Sequence, residues 1–284
     1  MTITLWLVRR EFWENKAIWI IPAALGALVT LGSLFGTIQA TFFDSTGEPP
    51  SMAGMMLLAF GALFFAAMSF YSYWYLLDCL YAERKDRSVL FWKSLPVSDT
   101  QTVLSKLLVA LVAIPLVYFA ADDATSLLVA FVLSVRTHSV LALWHPSVWL
   151  QLQAAWLYAI VTTAIWYLPI TGWLLLVSAW ARRAVILWSL VPPLGLMLAE
   201  RLLLGTHAVS SVIADRLTGY ASRAFSAPLP AGGWSAGQGF AAPTVWPLLN
   251  PTTFFSSPDT WLGALAGAVL IAATIQVRAR RVDY

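Results

Sequence analysis

Residues Leu76 to Leu108 read LLDCLYAERKDRSVLFWKSLPVSDTQTVLSKLL. Glu83, Arg84, Lys85, Asp86, Arg87 and Lys93 gather here, in a chain of which only 11% of residues are charged, and long apolar stretches lie on both sides. An ion in hydrocarbon costs roughly 2.5–3.5 kcal/mol on insertion scales. The segment therefore lies outside the bilayer and joins two membrane helices. Glu83 and Arg87 stand i,i+4 with the acid first, the favourable helical order. Pro96 ends the first helix, because it lacks an N–H and restricts the residue before it. Ser98 opens a capping box with Gln101 at N3, which predicts a second helix from about Asp99. A loop that only sets topology tolerates any basic composition. This one mixes Glu, Asp, Phe91 and Trp92 with its bases, which favours a docking element for a soluble partner.

Composition fixes the class. Of 284 residues, 60% are hydrophobic, and the charged share falls far below the roughly one quarter of a soluble domain. The chain is an all-α polytopic membrane protein. A net charge of +3 comes from bases spread along helix ends rather than from a basic run, so nucleic acid is not a partner. The single Cys79 excludes an internal disulfide and a cysteine metal site. Fifteen Trp suit the membrane interface, where indole is at home.

Outward from the charged segment, six membrane helices are expected in one transmembrane domain over residues 1–284. Residues 1–16 form an interfacial helix with Leu5, Val8 and Phe12 on one stripe, Trp6 and Trp13 beside it, and Arg10, Glu11 and Glu14 opposite. Arg9 and Lys16 fall at the edge of the apolar face and snorkel. The first membrane helix runs from about Ala17 to Thr41 and the second from about Met52 to Tyr81. Residues 82–101 are the charged connection. The third helix starts near Thr102 and is interrupted at Asp122 and Asp123, roughly 25 Å along from Ser105 at 1.5 Å per residue. Two readings of that acid pair stand. In the simpler one a helix ends there and Asp123 caps a short helix from Ala124 to Val135. In the other the pair is an intramembrane polar site. The fourth helix is about Val148 to Trp180, with kinks at Pro169 and Gly172. The fifth is about Ala184 to Leu204, with Glu200 and Arg201 near its outer end, either solvated or paired with their surroundings. Residues 205–260 form an extracytoplasmic loop with short helices, too long for a simple connection. The sixth is about Trp261 to Val277. With both termini cytoplasmic, thirteen of the seventeen Lys and Arg fall inside, and only Arg136, Arg201, Arg216 and Arg223 fall outside, as the positive-inside rule requires.

Few motifs carry chemistry. Gly233–Gly237 matches G-x-S-x-G around Ser235, but no strand precedes it as a nucleophile elbow needs. His138, His145 and His207 lack paired metal-ligand spacing and read as surface histidines. The sequence has no Gly-Lys dipeptide and hence no Walker A loop. If ATP drives this protein, another chain binds it.

Glu83-Arg84, then Leu90, then Ser94-Leu95-Pro96-Val97-Ser98, then Lys106 at the start of the next apolar run, resemble the membrane-spanning permease subunits of type-two ABC exporters. The resemblance implies an N-terminal elbow helix, a cytoplasmic coupling segment between helices two and three, and a separate ATP-binding cassette subunit docked on it. ATP and Mg then belong to that partner, and this chain holds no cofactor and is no enzyme by itself. Glu83, Arg84, Asp86 and Arg87 are the expected polar docking contacts, with Leu90, Phe91 and Trp92 as apolar anchors. Two copies, or one copy and a related subunit, pair in the bacterial cytoplasmic membrane. The expected function is export of an amphipathic or lipophilic substrate. The alternative is a proton-coupled secondary transporter using Asp122, Asp123 and Glu200.

Overall fold

A computed structural model describes residues 3–35, 51–86, 97–137, 146–226 and 246–280. Among these the chain is almost wholly helical, and its one pairing of extended backbone is an isolated bridge between Phe225 and Leu249. Five helices are long and apolar enough to cross a membrane, or six if one bent pair counts as a single span. The outside is apolar over much of their length. Leu28, Leu187, Leu265 and Val269 are each more than half exposed, as lipid, unlike water, permits.

Helix α1 (Ile3–Glu14) is separated from α2 (Ala17–Phe35) by two residues. Helix α3 (Ser51–Asp78) breaks at Cys79 and Leu80 before the short α4 (Tyr81–Lys85). A break frees backbone N–H groups that need acceptors. Here one buried hydroxyl, Ser178, accepts from both Leu80 N and Tyr81 N at 3.1 Å.

Helix α5 (Asp99–Leu108) begins at the expected capping box. Gln101 N donates to Ser98 Oγ and Ser98 N to Gln101 Oε1, each at 3.1 Å. A π-helical stretch, Val109–Ala113, links α5 to α6 (Ile114–Thr137). The wider turn stands just before Pro115, whose ring and missing N–H disturb a regular ladder. The whole run Asp99–Arg136 passes as one apolar helix of 38 residues. No break falls at Asp122 and Asp123, so the expected helix end there, and the separate helix from Ala124 to Val135, are corrected. The helix runs on through apolar neighbours, and Gln153 Nε2 of the following helix donates to Asp123 Oδ1.

The expected fourth helix is two, α7 (Pro146–Trp166) and α8 (Leu168–Trp180), bent by 58° at Tyr167. Pro169 sits in the first turn of α8, where its missing N–H costs least. Helix α9 (Val185–Leu203) follows a tight turn, then α10 (Ala208–Thr218), α11 (Tyr220–Ala224), α12 (Pro251–Ser256) and α13 (Pro258–Arg280).

The most extensive packing joins α8 to α13. Small residues allow it: a Cβ on Gly172 would stand 2.8 Å from Gly267 O, and one on Gly267 would stand 2.6 Å from the backbone carbon of Leu168. Close backbone approach through glycine is the usual means of helix association in lipid. The main core runs through α2, α3, α5, α6, α8 and α13. A second, smaller core of Trp166, Tyr220, Ala224 and Phe254 closes the opposite end. There the guanidinium groups of Arg216 and Arg223 lie 4.3 and 5.0 Å from the Trp166 ring, and Arg223 pairs with Asp259 and Asp215. Burial against that ring holds Arg216 below its ordinary range. The long region after α9 is thus ordered against the helix ends as far as it is described.

Candidate functional site

Sequence-distant segments bring their ions together at one end of the bundle. Lys106 Nζ, on α5, donates to Glu11 Oε1 of α1 at 2.5 Å and lies 3.1 Å from Glu83 Oε1 of α4. Arg278 Nη1, on α13, donates to the other Glu83 oxygen at 3.0 Å, and its Nε donates to Asp99 Oδ1 at 3.0 Å. Arg10 Nη2 reaches Glu83 at 3.3 Å while its Nε holds Glu14 at 2.7 Å. Tyr75 Oη and Asn15 Nδ2 donate to Glu11 Oε2 at 2.8 and 3.3 Å. Three acids (Glu11, Glu83, Asp99) thus face three bases (Arg10, Lys106, Arg278). Glu11, Glu83, Lys106 and Arg278 are buried. A buried ion is tolerable only when it is paired and its remaining hydrogen-bonding atoms are met, and this arrangement meets both conditions. Burial opposes the charge on Arg10, but Glu14 and Glu83 outweigh it and hold the guanidinium above its ordinary range.

The neighbouring Arg84 works differently. Its Nη2 donates to the carbonyl oxygens of Ser178 and Ala181, at 2.5 and 2.8 Å. These are end carbonyls of α8, where a helix leaves acceptors unmet and carries partial negative charge. The Glu-Arg pair therefore fastens two things at once. Glu83 binds the ion cluster, and Arg84 caps α8.

These placements redraw the expected docking set. Glu83 is buried, and Arg84 is engaged with α8, so both hold the root of the segment rather than display themselves from it. Asp86 is exposed at the edge of the segment. Arg87, Leu90, Phe91 and Trp92 lie outside the described residues, as do Ser235, His138 and His145. His207 is at the surface, as expected. Glu11, expected on the solvent side of the interfacial helix, is instead turned into the protein with only 1% of its surface exposed. The side left outward carries Arg9 between Trp6 and Trp13, 5.4 and 5.9 Å from their rings. Lys106 gave one legible signal. It sits among leucines, with Thr102 and Ala110 four residues away on either side, so its acid had to come from elsewhere in the chain.

A second polar feature lies between α3, α6 and α7, beside Tyr220 and Phe225 of the smaller core. Asp122 is 3% exposed and lines a cavity of about 290 Å³ with Phe65, Trp149, Gln153 and Trp156. Among the described residues its Oδ1 and the Oε1 of Gln153 have no hydrogen-bond partner. Gln153 Nε2 donates to Asp123 Oδ1 at 3.1 Å. That contact ties the second acid to α7. Glu200 does not join them. It is buried at the end of α9, where it accepts from Val209 N twice at 3.0 Å, from Ser210 N at 3.3 Å and from Thr206 Oγ1 at 2.9 Å. Its carboxylate thus caps the start of α10, and the expectation of a solvated Glu200 is corrected.

Among the described residues no group of three His, Cys, Asp or Glu is placed to hold a metal. Fold and polar clusters together define a multi-pass helical membrane protein whose charged end is tied across four chain segments. No family model, curated protein or solved structure matches the chain.

Proposed function

We propose that this chain is the membrane subunit of an ATP-binding cassette exporter in a bacterial cytoplasmic membrane. It moves an amphipathic or lipophilic substrate with ATP hydrolysed by a separate subunit. Two copies, or one copy and a related chain, form the complete translocation unit. The observation that carries this reading is the ion cluster at the roots of the charged segment. Residues 82–101 leave through α4 and return through α5, and both roots are anchored: Glu83 on one side, Asp99 and Lys106 on the other. The same cluster grips α1 and α13. A force applied to the segment by a docked ATPase is thereby delivered to four helices as one block, which is what a rigid-body transition between two states requires.

Docking then falls to the exposed Asp86 and to Arg87, Leu90, Phe91 and Trp92, which lie outside the described residues. Glu83 and Arg84 are positioning residues. The test is recovery of bound proteins with the tagged chain from its native host in mild detergent. An ABC ATPase is expected with the wild-type chain and with Asp122→Asn, and is lost with Phe91→Ala combined with Trp92→Ala. The variant's gel-filtration profile should stay unchanged. Failure to recover any ATPase from an intact membrane complex would sink the proposal.

One observation favours a second reading. Asp122 is a buried acid with an oxygen lacking a partner, which is what a proton-coupled carrier needs. That reading predicts transport that stops with an uncoupler and is indifferent to ATP.

A further inference from the structure

We infer that the cavity between α3, α6 and α7, next to Tyr220 and Phe225, is a binding site for a small organic ammonium ion with an aromatic or other apolar body. The contrast with the other buried acids leads there. Glu83 is met by Lys106, Arg278 and Arg10, Glu11 by Lys106 and Tyr75, and Glu200 by backbone N–H groups. Asp122 is as deeply buried, yet among the described residues its Oδ1 has no partner. A buried carboxylate left so is costly and calls for a cation or a proton.

The surroundings select among ligands. None of the residues lining the cavity is Lys, Arg or His, and the adjacent ionisable group is another acid, Asp123. An anion is therefore repelled. The Gln153 amide is oriented by its donation to Asp123, which leaves its carbonyl oxygen as a second acceptor without a partner. Two acceptors suit the N–H groups of an ammonium. Phe65 and Trp156 pack edge to face at 5.6 Å and supply the apolar wall with Trp149. Aromatic faces attract a cation as well as its carbon body. A bare Ca²⁺ or Mg²⁺ ion needs a shell of about six or more oxygens, and this mostly apolar lining cannot provide it. A volume of about 290 Å³ stands at the small end of ligand pockets, so the ligand is small.

The inference rests on neither reading of the transport cycle, since it concerns binding by this chain without an ATPase. The test is equilibrium dialysis of the purified full-length chain in nanodiscs of zwitterionic lipid. The probes are 2-phenylethylammonium and 2-phenylethanol, which share a carbon skeleton and differ in charge. The ammonium is expected to bind at least about tenfold tighter, a gap of about 1.4 kcal/mol. Asp122→Asn is expected to remove that preference and leave the alcohol's affinity within about twofold. Ala62→Phe fills the cavity from another wall without touching the acid, and is expected to weaken the ammonium at least about tenfold. No binding of the ammonium, equal binding of the two probes, a preference that survives Asp122→Asn, or an ammonium affinity unchanged in Ala62→Phe overturns the site. If Asp122→Asn does not fold, the wild-type comparison and Ala62→Phe decide the matter.

Discussion

Replacing Lys106 by Met removes one ammonium and keeps an unbranched side chain of similar length. Its consequence can be followed atom by atom. Glu83 retains Arg278 at 3.0 Å and Arg10 at 3.3 Å. Glu11 fares worse. It loses the contact at 2.5 Å and keeps only the neutral donors Tyr75 and Asn15, although just 1% of its surface reaches the outside. Breaking a buried pair by removing one partner costs about 3–5 kcal/mol, chiefly because the other charge stays buried. Lys106→Met is therefore expected to destabilise by about that much. Glu11→Gln in the same chain should restore part of the loss, with a coupling energy of about 2–3 kcal/mol between the two positions. The assay is reversible unfolding of purified protein by sodium dodecyl sulfate titration in mixed micelles, applied to both single variants and the double. A Lys106→Met effect below about 0.5 kcal/mol, the range of an ordinary surface change, would refute the reasoning. So would two single-variant effects that simply add.

Ser178→Ala leaves Leu80 N and Tyr81 N without their acceptor, and an unmet buried donor costs about 1–3 kcal/mol. Hydrogen exchange should show faster opening at the α3–α4 break, and unchanged exchange there would count against the role given to the hydroxyl. Gly267→Leu drives a side chain into the backbone of Leu168, which cannot swing aside. Overpacking of this kind costs about 1–3 kcal/mol or more. Gel filtration in detergent should report a lower yield of folded protein, and a wild-type yield and unfolding curve would show that α8 and α13 do not depend on close approach.

Much of the local structure was legible because local rules decide it. Ser98 and Gln101 announced the start of α5 through a cap that needs only four consecutive residues. The end of α9 and the extent of α13 were readable to within a few residues from hydropathy and flanking bases. Two readings failed for physical reasons of different kinds. Asp122 and Asp123 look like a helix end in sequence, yet a helix tolerates acids when α7 lies alongside and Gln153 binds one of them. Glu200 looks solvated beside Arg201, but the chain turns back after Gly205, whose φ is 62°, and lays the start of α10 on its carboxylate. In both cases the deciding partner comes from a following element, not from the acid's own helix.

Composition and hydropathy alone pointed to a helical membrane protein, because long continuous apolar runs suit helices that satisfy their own backbone groups, whereas a barrel's strands alternate apolar and polar residues. The charged segment alone set the expectation that Leu76–Leu108 leaves the bilayer and returns, because ions in hydrocarbon are costly. Which ions meet was decided only by the tertiary structure. Glu11 and Lys106 are separated by 95 positions and Glu83 and Arg278 by 195, and no periodicity relates residues on four different segments. Their pairing follows from the order in which helices pack. That order is set by small contacts, Gly172 against Gly267 and the Ser178 hydroxyl against a broken helix, whose partners the sequence does not name.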